Sequence, residues 1–375
     1  MGRNREGRGA RPRRRALRRH ARWKLAPALG LLVGGVAPAG AGGTEIRVLL
    51  RETPDPVEVG SVGGPVTRVA PAAGAGLRIG DRAGGAVWSL RDARLHVDGL
   101  RVRGDVEVRR TPGGLAIVNV VPLEPYVAGT VGREIYAHWE PETLKAQAVV
   151  SRTYALNRSA ARAGQAWDLA ADTTGQVYGG LAAESAPVAQ AVRATEGEWL
   201  AWRGEPILAV FHSASGGRTA SAEEVWGQAL PYLASVEVDG EEGSPDTYWR
   251  ATVSRSTLGR AFASLGVRVG TIREIRVVDR WPSGRVRTVR VRGREGKERV
   301  GARVVREALG GDVIRSTLFE IRTTDDSVII IGSGHGHGVG MSQWGAEAMA
   351  QRGASYREIL AAFYPGAKLV KGATR

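Results

Sequence analysis

The stretch VPLEPYVAGTVGREIYAHWEPETLKAQAVVSRTYALNR, residues 121–158, predicts two helices that meet at a short polar corner. The first helix carries one apolar stripe, because a hydrophobic residue recurs at every fourth position, at Leu123, Val127, Val131 and Ile135. The second begins at Pro141, which suits a first helical position because no backbone donor is needed there. The sequence therefore predicts one helix over 123–135 and another that starts at 141.

Glu134 lies near the end of the first helix, beside a corner that contains Tyr136, His138 and Trp139. Aromatic neighbours at a helix junction exclude water from a carboxylate, and the lost hydration raises its pKa. Perturbed pKa values cluster at functional sites, so Glu134 is the first candidate for catalysis. The alternative is a structural helix-end carboxylate that pairs with Arg133 or Lys145.

Residues 122–156 resemble the central motif of the SpoIID/LytB family over a long, nearly gap-free run. Two further stretches, 211–227 and 334–369, also resemble motifs of this family. The resemblance implies a protein that remodels peptidoglycan, because the family includes lytic transglycosylases and enhancers of amidases. In the transglycosylases a single glutamate cleaves the glycan strand, and Glu134 is the residue that matches it.

One carboxylate is sufficient for the chemistry that this resemblance implies, whereas glycosidases that use water usually need two. In a lytic transglycosylase, the 6-hydroxyl of the sugar attacks its own anomeric carbon and leaves a 1,6-anhydro end. The glutamate protonates the leaving oxygen and then accepts the hydroxyl proton, so a raised pKa keeps its acid form available near neutral pH. The runner-up function is a non-catalytic wall-binding protein that recruits or stimulates an amidase.

The second and third motifs supply polar side chains without forming another recognisable catalytic site. Ser215 lies in S-x-S-G-G rather than in G-x-S-x-G, which argues against a nucleophilic serine. A dinucleotide fold is also excluded, because the third glycine of its fingerprint would fall on Val339. His335 and His337 alone are too few ligands for a typical protein metal site, which uses three or four. The resemblance favours His337 over His335, and it also favours Gln343.

Some relatives hold zinc with cysteines that follow the histidine at position 212, but this chain has no cysteine, so we predict no metal and no cofactor. The absence of cysteine also excludes a disulfide framework. The substrate-binding residues predicted around Glu134 are Tyr136, Trp139, Lys145, Gln147, His212, Ser215, Arg218, His337 and Gln343.

The N-terminal segment 1–41 has the composition of a secretory signal. Residues 1–24 contain ten Arg, one Lys and one Glu, and residues 25–41 carry no charge and end in Ala-Gly-Ala. The sequence therefore predicts export to the periplasm, the cell wall or the extracellular space. Membrane association is expected only if this segment stays uncleaved as an anchor.

Net charge argues against a nucleic-acid partner once this segment is set aside. The whole chain carries +15 and residues 1–41 carry 11 − 1 = +10, so the remainder carries 15 − 10 = +5. Residues 272–306 alone hold eleven Arg and one Lys against four acids, a net 12 − 4 = +8. Alternation of Arg with Val predicts a basic hairpin there. Its charged face is either solvated or attracted to an anionic polymer or lipid head groups.

The expected fold is α+β, with β-rich segments around a helical catalytic middle and a cleft between lobes. We predict a single SpoIID/LytB-like domain over 42–375. Its predicted parts are a β-rich N-terminal part (44–120), a helical part that carries motifs (121–235), a β-rich basic part (236–330) and a C-terminal part with the Gly/His motif and a helix (331–375). The acidic run 237–246 is expected to be a solvated loop. The predicted partners are peptidoglycan glycan strands and an amidase or another wall hydrolase.

Overall fold

The computed structural model describes residues 44–173 and 175–372, which belong to a compact unit spanning Pro38–Arg375. The predicted secretory segment 1–41 lies outside the described residues. Within them, no helix has both the length and the apolar character that a membrane crossing requires.

Ten strands precede the predicted helices, which confirms a β-rich N-terminal part. They are β1 (Glu45–Thr53), β2 (Val57–Ser61), β3 (Val66–Pro71), β4 (Leu77–Ile79), β5 (Arg82–Gly84), β6 (Val87–Leu90), β7 (Arg94–Val97), β8 (Leu100–Arg103), β9 (Asp105–Thr111) and β10 (Gly114–Pro122). One sheet has the order β1-β10-β9-β6 and the other has the order β5-β4-β3-β2-β7-β8. Alternating apolar residues of both sheets, such as Val57, Val59, Val106 and Val108, fill a shared core.

The two predicted helices follow directly, as α1 (Leu123–Glu134) and α2 (Pro141–Ala161). Helix α1 ends one residue before the predicted stripe does, because Ile135 has extended backbone angles. Pro141 occupies the predicted first position of α2. Helix α2 is buried on more than one side: Leu144 and Ala148 join the N-terminal core, whereas Val149 and Val150 join a second core formed with the end of the chain.

Short elements continue the chain across this middle part. They are β11 (Leu169–Ala170), α3 (Ala186–Ala194), β12 (Glu198–Trp202), β13 (Glu205–Pro206), β14 (Phe211–His212) and α4 (Ala222–Trp226). Strand β11 extends the first sheet by pairing in parallel with β1.

A separate set of elements then forms its own core. It consists of β15 (Trp249–Ser254), α5 (Arg255–Ser264), β16 (Ile272–Arg280), β17 (Val286–Gly293), β18 (Lys297–Gly301), α6 (Ala302–Leu309), β19 (Phe319–Thr323) and β20 (Ser327–Gly332). The predicted basic hairpin is confirmed as β16 and β17, and β18 adds a third strand. The core of these elements draws only on residues between Trp249 and Ile330. We call residues 249–332 the inserted module, since its first and last strands, β15 and β20, pair with each other.

The end of the chain returns to α2 through β21 (Met341–Ser342), α7 (Gln343–Gln351), α8 (Tyr356–Phe363) and β22 (Lys368–Lys371). Strand β21 pairs in parallel with β14, and β22 pairs with β12. Ile359 and Phe363 of α8 share a core with Val149 and Val150 of α2. The architecture is therefore α+β, as predicted, and the cleft between lobes stays a prediction.

Candidate functional site

Glu134 is the last residue of α1 and is partly buried. The backbone N–H of Val177 donates a hydrogen bond to its Oε1 at 2.7 Å. Burial raises the pKa of Glu134 from its usual range to about 7, and the Val177 hydrogen bond, which favours the charged form, opposes this shift. The site therefore contains a carboxyl group that is about half protonated at neutral pH.

No basic side chain of the described residues lies within ion-pair distance of Glu134. Lys145, one of the two proposed structural partners, instead pairs with Glu142 at 2.6 Å. Arg133, the other, is exposed and forms no ion pair within the described part of the chain. The reading of Glu134 as a paired helix-end carboxylate is thus not supported by its surroundings.

Two glutamines connect Glu134 to α2 and α7. Gln343 Nε2 donates to the backbone carbonyl of Glu134 at 3.2 Å and to Gln147 Oε1 at 3.4 Å. Gln147 is fully buried, and its own amide donates to Ser151 Oγ at 3.2 Å. The fold therefore brings together Glu134, Gln147 and Gln343, which are separated by up to 209 positions in the sequence.

The aromatic corner divides into an exposed residue and a buried one. Tyr136 is 55% exposed, and its ring lies 5.5 Å from that of Trp139. Trp139 is buried and packs edge-on against Trp344 of α7, with ring centroids 4.9 Å apart. Tyr136 is consequently free to contact a ligand, whereas Trp139 fixes α7 against the corner.

A carboxylate in the acidic run holds the second motif in place, so the prediction of a solvated loop over 237–246 was wrong. Glu241 is only 7% exposed, and Asp246 is only 5% exposed. Ser215 donates to Glu241 through both its backbone N–H and its hydroxyl, at 2.7 Å each. The amides of Gly216 and Gly217 and the hydroxyl of Ser342 also donate to it. A Gly-rich turn leaves backbone donors without partners, and a buried carboxylate satisfies several of them.

The two histidines of the candidate site are held in neutral form. His212 Nδ1 donates to the Val339 carbonyl at 3.1 Å, and His337 Nδ1 accepts from the Val339 N–H at 3.0 Å. Burial lowers the pKa of His337 to about 4, and it lowers the pKa of His212 well below its usual range. Their rings lie 5.7 Å apart. Neither histidine is suited to take up a second ring proton, and so a positive charge, at neutral pH.

The Gly-rich loop that carries His335 and His337 passes very close to the second motif. A Cβ atom on Gly340 would lie 2.0 Å from the Val210 carbonyl oxygen, so only glycine fits there. His335 itself contacts the carboxylate of Asp246 at 3.1 Å. No group of three or more potential metal ligands occurs among the described residues.

Three predicted substrate-binding residues, Lys145, Arg218 and Ser215, form their contacts away from Glu134. Lys145 contacts Glu142 and lies over the ring of Tyr356, 5.8 Å from its centroid. Arg218 is partly exposed and pairs with Glu237. Ser215 is fully buried, and its hydroxyl donates a hydrogen bond to Glu241. The structure therefore groups Gln147 and Gln343 with Glu134, and it does not place Lys145, Arg218 or Ser215 in contact with that residue.

Sequence reasoning missed three contributors to this site. The Val177 amide carries no sequence signal, because any residue supplies a backbone N–H. Glu241 was missed because it lies in an acidic run, 237–246, whose composition is typical of a solvated loop. Arg285 was counted among surface arginines but is only 2% exposed, and it donates to the Ser215 carbonyl at 2.9 Å.

Two family models match parts of this chain. Residues 111–202, which include Glu134 and Gln147, match the family model SpoIID, described as stage II sporulation protein. Residues 238–340 match a domain of unknown function, DUF8618.

Stage II sporulation protein D of Bacillus subtilis (strain 168) is 34% identical over 269 residues, covering 67% of this chain and 75% of the relative. An uncharacterized protein of Brachyspira hyodysenteriae is 32% identical over 287 residues and covers 76% of each chain. The amidase enhancer of B. subtilis is 28% identical over 290 residues, covering 64% of this chain and 40% of that relative.

Proposed function

This chain belongs to the SpoIID/LytB family of cell-wall-remodelling proteins, and on that premise we propose that it is a lytic transglycosylase of peptidoglycan. Its substrate is the glycan backbone of alternating N-acetylmuramic acid (MurNAc) and N-acetylglucosamine (GlcNAc). Glu134 is the single acid/base of the reaction.

The observation that carries this proposal is the partly buried position of Glu134, with no basic side chain of the described residues within ion-pair distance. A pKa of about 7 leaves a large fraction of this carboxyl protonated at neutral pH, which is what a general acid requires. The shift comes from burial rather than from a neighbouring carboxylate. A lone carboxyl with this pKa fits a reaction that needs one such group, whereas glycoside hydrolysis by water usually uses two.

In the proposed reaction, protonated Glu134 gives its proton to the glycosidic oxygen, O4 of GlcNAc, which joins MurNAc C1 to GlcNAc C4. The C1–O bond breaks, the GlcNAc hydroxyl leaves, and positive charge develops at C1. The Glu134 carboxylate then accepts the proton of the MurNAc 6-hydroxyl while that oxygen bonds to C1. The product is a 1,6-anhydro-MurNAc end, no water is consumed, and Glu134 is protonated again.

The neighbouring residues have supporting roles in this proposal. Gln343 and Gln147 fix the end of α1, because Gln343 bonds to the Glu134 carbonyl and to Gln147. The exposed ring of Tyr136 offers an apolar face of the kind on which sugar rings stack.

A product assay with purified full-length protein tests the proposal. Glycan strands stripped of their peptides are incubated with wild type and with Glu134→Gln, and anhydro-muramyl products are measured by mass spectrometry. We expect the substitution to lower the rate by about 10²- to 10⁴-fold, the usual contribution of a general acid/base. Glu140→Gln, an exposed carboxylate six positions away, is the matched control and retains full rate. Equal rates for wild type and Glu134→Gln would refute the assignment.

A second candidate function is stimulation of an amidase without catalysis, which the similarity to the B. subtilis amidase enhancer favours. In that case neither variant releases anhydro products. Both instead increase the rate at which an added N-acetylmuramoyl-L-alanine amidase removes peptides from whole peptidoglycan.

We also propose that the protein is exported, on the composition of residues 1–41. Cell fractionation, together with N-terminal sequencing of the mature chain, tests this proposal. Recovery of the protein only in the cytosolic fraction would contradict it.

A further inference from the structure

One surface of the inserted module is strongly basic. The solvent-facing side of the sheet formed by β16, β17 and β18 carries five cationic residues, which we call the basic face: Arg276, Arg290, Arg292, Lys297 and Arg299. The opposite side of this sheet is buried against the module core through Ile275, Val289, Val291 and Val300. Fold stability therefore requires one side of these strands to be apolar but does not require the other side to be basic.

The register of the sheet places like charges directly opposite one another. Arg276 pairs with Arg290 across the first two strands, and Arg290 pairs with Arg299 across the next two. Side chains at such positions are about 4.5–5.5 Å apart at their Cβ atoms, and like charges there are destabilising. In the adjacent row, Arg292 lies between Lys297 and the carboxylate-bearing Glu274. A row of three guanidinium groups is thus an arrangement that the fold by itself disfavours.

The protein does not neutralise this face internally. Among the described residues, the one carboxylate within ion-pair distance of it is Glu274, at 3.8 Å from Arg276. Arg290 and Arg299, the other two residues of the row, form no ion pair within the described part of the chain. The positive charge of the row therefore remains available to a ligand.

The residue types and their spacing indicate the chemistry of that ligand. Four of the five cations are arginine, whose planar fork binds phosphate through two parallel hydrogen bonds. Neighbouring strands are about 4.8 Å apart, so the row repeats its charge over roughly 10 Å. A repeated charge of this kind fits a chain of phosphate groups better than a single small anion.

The same face lacks the apolar anchors of a membrane-binding surface, which commonly inserts Trp, Phe or Leu. On β16, which carries part of this face, Val278 is the large hydrophobic residue that is exposed, at 40%. The ring of nearby Trp281 is covered by the guanidinium of Arg287, 4.3 Å from its centroid. A polymer in solution is therefore favoured over a lipid surface.

We propose that the basic face binds a linear phosphodiester polymer of the bacterial cell wall. The choice of a wall polymer over a nucleic acid rests on the proposed function, but the binding does not require the chemistry of Glu134. Since the basic face belongs to the inserted module and Glu134 lies at the end of α1, such binding holds the protein on the wall without occupying the catalytic carboxyl.

Binding of full-length protein to a soluble poly(glycerol phosphate) chain of defined length tests the proposal. The test variant combines Arg276→Gln, Arg290→Gln and Arg299→Gln. Its matched control combines Arg68→Gln, Arg78→Gln and Arg82→Gln, three exposed arginines of another sheet, and changes net charge by the same amount. We expect the test variant to bind at least about tenfold more weakly, with the slope of log K against log salt reduced by about 2 to 3. We expect the control to bind like wild type.

Three outcomes would overturn the proposal: no binding by wild type, an equal loss in both triple variants, or tighter binding of duplex DNA or anionic vesicles at equal phosphate concentration. Thermal unfolding of both variants establishes that they fold, and removal of opposed charges is expected to leave the test variant at least as stable as wild type. Glu134→Gln is expected to bind the polymer normally, so failure of the catalytic proposal and failure of this one are distinguishable.

Discussion

Two opposing influences act on the pKa of Glu134 at the end of α1. Glu134 accepts a hydrogen bond from the Val177 amide, yet burial still raises its pKa to about 7. Amide donors alone would lower that pKa, so the loss of hydration is the larger effect here. The balance between these two effects sets the pH range in which the residue can act.

The first prediction concerns this pH range. Because the reaction begins with proton donation, kcat/KM should fall as Glu134 loses its proton, about tenfold per pH unit above pH 7. Below pH 6 the group is protonated, and this limb of the profile should be flat. Initial rates of anhydro-product release between pH 5 and pH 9 provide the measurement. A flat profile through pH 8 would assign the acid role to another group.

A second prediction at this scale concerns Glu241. Its replacement by Gln puts an amide NH₂ among groups that are all donors and removes the charge that those donors bind. We expect Glu241→Gln to lower the free energy of unfolding by about 3 kcal/mol, as for other buried charged hydrogen-bond partners. Urea denaturation measures this change. Glu242→Gln, at the exposed neighbouring position, should change it by less than about 0.5 kcal/mol.

Helix α1 is positioned by close backbone contact as well as by its apolar stripe. A Cβ atom on Gly132 would lie 1.9 Å from the carbonyl oxygen of Ala183. One on Gly129 would lie 2.6 Å from the ring of Tyr178. The helix face that carries these glycines therefore lies flat against the segment that follows Val177, and this contact aligns Glu134 with the Val177 amide.

The third prediction follows from this contact. Gly132→Ala must move α1 away from Ala183, so we expect a loss of about 2–4 kcal/mol in unfolding free energy, typical of overpacking with a backbone shift. The rate of glycan cleavage should fall as well, because Glu134 moves with the helix. Gly113→Ala, where an added Cβ meets nothing within 4 Å, is the control and should leave both quantities nearly unchanged.

At the scale of elements, local patterns were predictable and long-range pairings were not. The four-residue period and Pro141 predicted α1 and α2, and the alternation of Arg with Val predicted the β16–β17 hairpin. The parallel pairing of β14 with β21 joins residues about 130 positions apart, and two-residue strands leave no pattern to read. Sequence separation also explains what could be predicted of the candidate site. Glu134 was selected as a candidate from its own neighbourhood and motif, whereas its hydrogen bond to Val177 and the contacts of Glu241 depend on the folded chain.

Over the whole molecule, α2 lies at the centre of the fold, because residues on different sides of it join two cores. The inserted module stands apart from both cores, since its core residues all come from its own sequence. Trp249 pairs directly with Gly332, so the module leaves and rejoins the rest of the chain at neighbouring positions.

The fourth prediction is that the inserted module folds without the rest of the chain. A protein of residues 247–333 should show a single cooperative thermal transition, because its two sheets and two helices enclose a complete core. Circular dichroism and calorimetry measure it. A chain of residues 198–248, which contains part of the second core without α2, α7 and α8, is the contrasting case and should not unfold cooperatively. Absence of a transition in the isolated module would show that contacts with the rest of the chain, such as that of Arg285 with the Ser215 carbonyl, are needed for folding.

The pairing of Trp249 with Gly332 also bears on how such a protein can change over evolutionary time. A segment whose two ends meet at one strand pair can be lengthened, shortened or exchanged while the remaining chain keeps its path. Surface charge on that segment can then change without altering Glu134 or the helix that carries it. Proteins that share the remaining chain can in this way acquire different surface charges on this segment.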